Sequence, residues 1–106
     1  MNLLGPIGLS HYLLVSAAAA AIGVTVIVMK RNAVAVLMGV ELVLNSAALN
    51  LVAFSRFVVR DVTGQVVAIF VLVIAAAEAA VALAIVLNLF KNASSIRLDE
   101  ADLLRE

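Results

Sequence analysis

Residues 33–54 read AVAVLMGVELVLNSAALNLVAF and form an apolar stretch that contains one acidic residue, Glu41. Residues 66–90 read VVAIFVLVIAAAEAAVALAIVLNLF and repeat the pattern around Glu78. A helix needs about 20 predominantly apolar residues to cross the hydrocarbon core of a bilayer, and both stretches reach that length. A carboxylate in the middle of a bilayer is energetically costly. A chain that keeps one in each of two such stretches therefore points to an ion or proton pathway.

A third apolar run covers residues 7–29, and short polar segments separate the three runs from one another. Each run has about the 20 residues that a membrane-spanning helix requires. We therefore predict an all-α membrane protein that forms a single membrane domain over residues 1–106. Its three transmembrane helices and its cytoplasmic tail are expected at residues 7–29, 33–54, 66–90 and 91–106.

Composition excludes several kinds of function. The chain is 66% hydrophobic and 13% charged, whereas soluble domains are about 25% charged. Its net charge is zero, which implies no nucleic-acid partner. It contains no Cys and one His, His11, so it lacks the thiolates of an iron–sulfur cluster and the paired histidines of a haem or metal site. We expect no cofactor and no metal in this chain, and the lipid bilayer as its surroundings.

The distribution of Lys and Arg predicts the orientation in the membrane. The two sides of the membrane differ in their number of Lys and Arg residues. The side that contains the loop between the second and third spans holds only Arg56 and Arg60. The other side includes the first loop and the tail, and it holds Lys30, Arg31, Lys91, Arg97 and Arg105. Because cytoplasmic segments carry the excess of basic residues, we expect the C-terminus in the cytoplasm and the N-terminus outside.

Both glutamates are expected near the middle of the bilayer. Glu41 lies eleven residues after Lys30, which corresponds to about 16 Å along a helix. Glu78 lies thirteen residues before Lys91, about 20 Å from the same membrane edge. Desolvation disfavours the charged form of a carboxyl, so we predict that the two side chains hold and pass protons in a lateral relay. The alternative is that each is a neutral, hydrogen-bonded packing residue.

Three residues are predicted to support the glutamates. Asn45 lies one helical turn after Glu41 and could hydrogen-bond its carboxyl or order a water beside it. A hydrogen bond between helices is the alternative for Asn45, and it is the interpretation that we favour for Asn50. Lys30 and Arg31 are expected to anchor the topology and contact headgroups, with tuning of the electric field near Glu41 as their functional alternative.

Small residues surround Glu78, since residues 75–80 read AAAEAA. Small residues let helix backbones approach closely in lipid, so Glu78 is expected to be clamped between helices. Three slim helices cannot enclose two polar sites, and the chain is therefore predicted to pack against larger partners as one component of an assembly. In the tail, Asp99 is the predicted N-cap of a short helix, and a disordered tail is the alternative.

Two motifs, taken together, are characteristic of one family. They are ELVLNSAALNL at residues 41–51 and AAAEAAV at residues 75–81, accompanied by RNAV at residues 31–34 and GQV at residues 64–66. Over nearly its whole length the sequence resembles the K subunit of NADH-quinone oxidoreductase. That family is the bacterial relative of the mitochondrial 4L subunit of respiratory complex I and of the E subunit of photosynthetic-type complexes. Either motif alone is weak, whereas the pair is specific.

The resemblance implies a three-helix subunit in the membrane arm of a proton-translocating oxidoreductase that uses NADH or ferredoxin. It implies that Glu41 and Glu78 belong to a hydrophilic axis that couples quinone reduction to proton pumping. It also implies that Lys30 and Arg31 form the basic pair of the first cytoplasmic loop. The family often has two arginines there, and Lys30 keeps the charge but loses the fork geometry of a guanidinium.

The resemblance also implies partners, cofactors and a location. The neighbours would be the J-type subunit, the N-type antiporter-like subunit, and the A and H subunits. Quinone, NADH, FMN and iron–sulfur clusters would bind in those partner subunits and others, and none in this chain. The protein would be a multi-pass component of the bacterial plasma (inner) membrane, or of the thylakoid membrane in a photosynthetic organism.

Two alternatives stay open on the residues. The C subunit of multi-subunit sodium/proton antiporters resembles this chain in its three spans, although the tail and the AAAEA run favour the oxidoreductase. A purely structural subunit, whose glutamates matter only for assembly, is the other. Two further families do not fit the three predicted spans. Small multidrug exporters are four-span proteins, and rotary-ring subunits of ATP synthase are two-span hairpins.

Overall fold

The computed structural model describes the backbone of residues 5–105 and the side chains of residues 5–94. Helix α1 is Leu9–Met29, α2 is Ala33–Phe54 and α3 is Thr63–Arg105, with a π-helical turn at Ser55–Val59 between the last two. Each helix is long and apolar enough to cross a membrane, and no strand occurs within residues 5–105. The prediction of an all-α fold with three such helices is therefore confirmed.

Helices α1 and α2 form a tight hairpin because local hydrogen bonds fix their ends. The Gly8 N–H donates to His11 Nδ1 at 3.1 Å, which starts α1 at Leu9. Lys30 leaves the helix with extended backbone angles (φ −94°, ψ 141°). Asn32 then caps α2, since its Oδ1 accepts from the Val34 N–H at 2.8 Å. Only three residues, 30–32, separate the two helices, so they must run antiparallel.

A wider turn joins α2 to α3. In the π turn, the Arg60 N–H donates to the Ser55 carbonyl at 2.8 Å, and Arg60 itself is left-handed (φ 60°, ψ 36°). The Ser55 hydroxyl donates to the Asp61 carbonyl and thereby ties the turn to the following loop. Asp61 Oδ1 accepts from the Thr63 N–H at 3.0 Å and caps the first turn of α3.

Helix α3 is much longer than its predicted span of residues 66–90. Its 43 residues extend over about 64 Å, against a hydrocarbon core of about 30 Å. The helix continues because residues 91–105 contain no Gly or Pro that would end it. Asp99 lies inside this helix, so its prediction as the N-cap of a separate tail helix is wrong. The side chains of residues 95–106 lie outside the part that the structure describes.

Helix α2 lies in the middle and packs against α1 on one side and α3 on the other. Two contacts define the register of α1 against α2. Ser16 Oγ donates to the Ser46 carbonyl at 2.8 Å. Two helical turns away, Gly23, seven residues after Ser16, lies against Gly39, seven residues before Ser46. The molecule measures 77 × 30 × 19 Å. The helices therefore form a flat layer, from which the end of α3 extends.

The buried residues within the range 5–94 are all small. They are Ser16, Gly23, Gly39, Ser46, Ala48, Ala53, Ser55, Ala68 and Ala75. In lipid, helix association depends on close van der Waals contact, which small residues permit. Many of the large apolar side chains point outward instead; Val28 and Phe90, for example, are 77% and 70% exposed. The faces of the layer are therefore available to lipid and to partner proteins.

We expect Gly39→Leu to separate α1 from α2. A Cβ added at Gly39 would lie 2.8 Å from the Gly23 carbonyl oxygen and 2.9 Å from Ile27 Cγ1. Overpacking of this kind costs about 1–3 kcal/mol, and here a backbone atom would have to move. The measurement is the thermal unfolding midpoint of the chain in detergent micelles, which should fall.

Gly8→Ala is the matched control, because no atom lies within 4 Å of the Cβ that it would add. An unfolding midpoint for Gly39→Leu equal to that of Gly8→Ala would contradict the close packing of the two helices.

Candidate functional site

Glu41 lies in a groove between α2 and α3. The groove has a volume of about 440 Å³, and its other lining residues are Val34, Leu37, Met38, Ala79, Ala80 and Leu83. The Glu41 side chain is half-buried, and its Oε1 atom is buried without a hydrogen-bond partner among the described residues. A buried polar atom without a partner costs about 1–3 kcal/mol. The groove is otherwise apolar, so no side chain among residues 5–94 offsets that cost.

Glu78 lies on the outer surface of α3 and is exposed. Its neighbours on this surface are Ala77, Val81, Ala82 and Ile85. The prediction that Glu78 is clamped between helices is wrong within this chain, because the packed face of α3 passes through Ala75 and Ala79. Glu78 is offset from Ala75 by about 60° around the helix axis. Its carboxyl therefore faces whatever covers the outside of α3.

The two glutamates lie at the same level along the helices. Glu41 shares its groove with Ala79 and Ala80, which directly follow Glu78 in the chain. The antiparallel packing of α2 and α3 thus brings the two carboxyls to one depth. The sequence estimate of similar depth agrees with this register.

The two carboxyls open on opposite faces of the helical layer. Ala79, Ala80 and Leu83 line the groove of Glu41, whereas Val81 and Ile85 lie beside Glu78. At about 100° per residue, the centres of these two groups of residues lie about 180° apart around α3. Between the carboxyls α3 carries only alanine side chains, at residues 75–77 and 79–80. The part of α3 that separates the two faces at this level therefore carries small side chains.

The asparagines do not make the predicted hydrogen bonds. Asn45 is exposed and does not reach Glu41 Oε1, which has no partner among the described residues. Asn50 is half-buried, but its Oδ1 also has no partner there. The hydrogen bond between helices is made instead by Ser16 and the Ser46 carbonyl. The signal for it was a serine next to an alanine run, since small polar residues favour helix contacts in membranes.

The basic pair lies far from the carboxyls. Lys30 and Arg31 are exposed in the turn between α1 and α2. Glu41 lies eleven residues after Lys30, which corresponds to about 16 Å along the helix. The structure therefore brings neither cation into contact with the groove, and any effect of the pair on Glu41 acts through the field.

The site offers carboxyl chemistry. Within the described part of the chain, no group of three or more His, Cys, Asp or Glu residues is arranged to hold a metal ion. A carboxyl can hold a proton, release it, and accept or donate a hydrogen bond. Glu41, on α2, and Glu78, on α3, supply these abilities on the two faces of the helical layer. The arrangement is suited to proton or charge transfer across the thin layer.

We expect Glu41→Leu to stabilise the isolated chain, because it removes the unpartnered Oε1 atom from an apolar groove. The expected gain in the free energy of unfolding is about 1–3 kcal/mol. Unfolding in detergent micelles measures it. Glu78→Leu is the control and should give no comparable gain, since Glu78 is exposed. A loss of stability for Glu41→Leu would show that Glu41 is a packing residue.

Comparison with known proteins identifies the family. The family model for NADH-ubiquinone/plastoquinone oxidoreductase chain 4L matches residues 11–106. The chain is 52% identical to NADH-quinone oxidoreductase subunit K 1 of Koribacter versatilis, with 93% of this chain and 96% of the relative covered. It is 47% identical to subunit K of Caulobacter vibrioides, with 93% and 98% covered.

A cyanobacterial relative is named as a 4L subunit, as the family model is. The chain is 48% identical to NAD(P)H-quinone oxidoreductase subunit 4L of Leptolyngbya boryana, with 92% of this chain and 97% of the relative covered. The relatives are matched over almost their full length, and the family model covers nearly all of the three helices that could span a membrane. The chain belongs to the family of NADH-ubiquinone/plastoquinone oxidoreductase chain 4L.

Proposed function

We propose that Glu41 and Glu78 relay protons or charge laterally through the membrane arm of a proton-translocating quinone oxidoreductase. As a member of the chain 4L family, the protein is a subunit of an NADH-quinone oxidoreductase, with three helices that can cross a membrane. The observation that carries the proposal is that the two carboxyls lie at one depth, with α3 between them, and open on opposite faces of the helical layer. A relay that passes through the subunit requires an entry on one face and an exit on the other.

The energetic cost of Glu41 supports a functional role. Its Oε1 is buried without a partner, although a leucine would fill the same apolar groove at no polar cost. Ionisable residues at membrane depth mark ion and proton pathways for this reason. A partner side chain or a water that reaches the groove in the assembled complex would supply the absent hydrogen bond, and it would also extend the path.

The exposed faces support a position between partner subunits. Glu78 opens on one face and Glu41 on the other, so each carboxyl requires its own neighbour. We assign these neighbours to the membrane arm, where the J-type, N-type, A and H subunits would be candidates. NADH or ferredoxin oxidation, FMN, the iron–sulfur clusters and quinone reduction belong to partner subunits in this proposal. This chain contributes the carboxyls alone.

The comparisons favour this interpretation over an antiporter subunit, because the matched family and the three relatives above are all named as quinone oxidoreductase subunits. A scaffold role is the remaining competitor. The exposure of Glu78 is its supporting observation, since an exposed carboxyl could serve as an assembly contact. Separate measurements of assembly and pumping distinguish the two roles.

We expect Glu41→Gln and Glu78→Gln, made singly, to leave the complex assembled but to reduce proton pumping about tenfold or more. Glutamine keeps the size and hydrogen-bonding capacity of the side chain but cannot release a proton at neutral pH. Native gels measure assembly. Donor-to-quinone electron transfer and proton uptake by inside-out vesicles measure coupled turnover.

Glu41→Asp and Glu78→Asp are the matched controls, because they retain the carboxyl and should retain part of the pumping. Assembled Gln variants that pump at the wild-type rate would exclude the relay. Loss of assembly in both the Gln and the Asp variants would instead favour the scaffold role.

We also infer that the N-terminus faces the outside and the C-terminus the cytoplasm, in a bacterial inner membrane or a thylakoid membrane. The basic residues support this orientation, and the long α3 would then extend into the cytoplasm. The chain contains no Cys, so single cysteines can report the orientation. An impermeant thiol reagent added to right-side-out membranes should label Val62→Cys, which is 65% exposed, and not Arg31→Cys. The reverse pattern would invert the topology.

A further inference from the structure

We propose that the loop between α2 and α3 binds the phosphate of an anionic phospholipid headgroup. A polar pocket of about 360 Å³ lies at this loop, lined by Ser55, Arg56, Arg60, Asp61, Val62 and Gln65. The proposed ligand is the phosphodiester of a lipid with net negative charge. Nothing in the relay of Glu41 and Glu78 uses these residues.

The charge of the pocket favours an anion. Arg56 and Arg60 both line it, and among the described residues neither has an ion-pair partner. Asp61 is the one acid in the lining, and its Oδ1 already accepts from the Thr63 N–H. Arginine binds phosphate through two parallel N–H donors, and its weak hydration lowers the cost of leaving water.

The location favours a lipid as the source of the phosphate. The apolar helical stretch of α2 and the π turn ends at Val59, and α3 begins at Thr63. The pocket therefore lies where two spans reach the membrane surface, at the level of the headgroups. Arg56 and Arg60 are also the only Lys or Arg residues on the side that the proposed orientation places outside. Basic residues are depleted there, so a binding role accounts for a pair of them.

The backbone at Arg60 supports a dedicated site. Arg60 has a left-handed backbone conformation (φ 60°). This conformation is energetically unfavourable for an L residue that has a Cβ, whereas Gly adopts it freely. A Gly at position 60 would complete the same turn without that cost. The chain has instead an arginine whose side chain lines the pocket.

The test uses the intact complex in phosphatidylcholine vesicles that contain a photoreactive phosphatidylglycerol. After illumination, peptide mass spectrometry should find the label within residues 55–65. Arg56→Gln and Arg60→Gly should each lower the labelling about fivefold. Arg60→Gly also relieves the left-handed strain, so its loss of label cannot come from a weakened turn.

Asp61→Asn gives a change of opposite sign. Asn keeps the Oδ1 acceptor that caps α3 but removes a negative charge from the pocket, so labelling should rise. Equal labelling of the wild type and all three variants would overturn the proposal. Equal labelling by a photoreactive phosphatidylcholine would overturn the preference for an anionic lipid.

A competition experiment distinguishes the two sources of phosphate. Soluble short-chain phosphatidylglycerol should displace the photoreactive lipid, and inorganic phosphate at the same concentration should not. Displacement by both to the same extent would assign the pocket to a free anion and overturn the lipid assignment. The labelling does not depend on proton pumping, so it is independent of the relay test.

Discussion

The close approach of helix backbones at small residues is the constraint on which this structure depends. Gly23 and Gly39 leave no room for a Cβ on either helix, and the Ser16 hydroxyl donates to the Ser46 carbonyl in the same register. A third close approach, of Gly64 to the Leu51 carbonyl, sets the start of α3 against α2. These contacts fix the helix registers, and the registers in turn fix the depth of Glu41 relative to Glu78. The site is therefore positioned by glycines and serines that carry none of its chemistry.

The flat shape of the molecule links packing to function. The layer is 19 Å thick, which is less than the combined diameter of two helices at about 10–12 Å each. A side chain near the middle of the layer therefore lies close to both faces. The alanines beside Glu78 keep the intervening helix thin. A bulky residue there would widen the barrier and displace the partners that cover each carboxyl. The alanine run, which the sequence suggested as a close-packing device, thus also leaves only small side chains on the part of α3 that lies between half-buried Glu41 and exposed Glu78.

The helices and their character could be predicted from hydropathy, because membrane spans have a strong length signal. α2 covers residues 33–54, the range read from the sequence, since Asn32 caps its start. The extension of α3 to Arg105 was not foreseen, although the absence of Gly and Pro after Phe90 was visible. A change from apolar to polar composition marks the end of a membrane span, whereas it does not mark the end of a helix.

The orientation of Glu78 was the less predictable part of the site. Hydropathy gives depth but not the direction around the helix axis, and α3 is apolar on all sides. The small residues Gly64, Ala68 and Ala75 recur at helical spacing and form the packed face, which offered a signal for the direction of Glu78. The unpartnered Oε1 of Glu41 had no such signal, because it depends on which atoms of α3 lie opposite.

The π turn at Ser55–Val59 separates the length of the following loop from the register of α2 against α1. The Arg60 N–H donates to a carbonyl five residues back, where an α-helix would use the fourth, so the turn stores one additional residue. That residue lies after the part of α2 that contacts α1. Insertions or deletions in the loop can be absorbed there by a change between π and α winding. A change of loop length taken up in this way would leave the helix register, and with it the common depth of the carboxyls, unchanged.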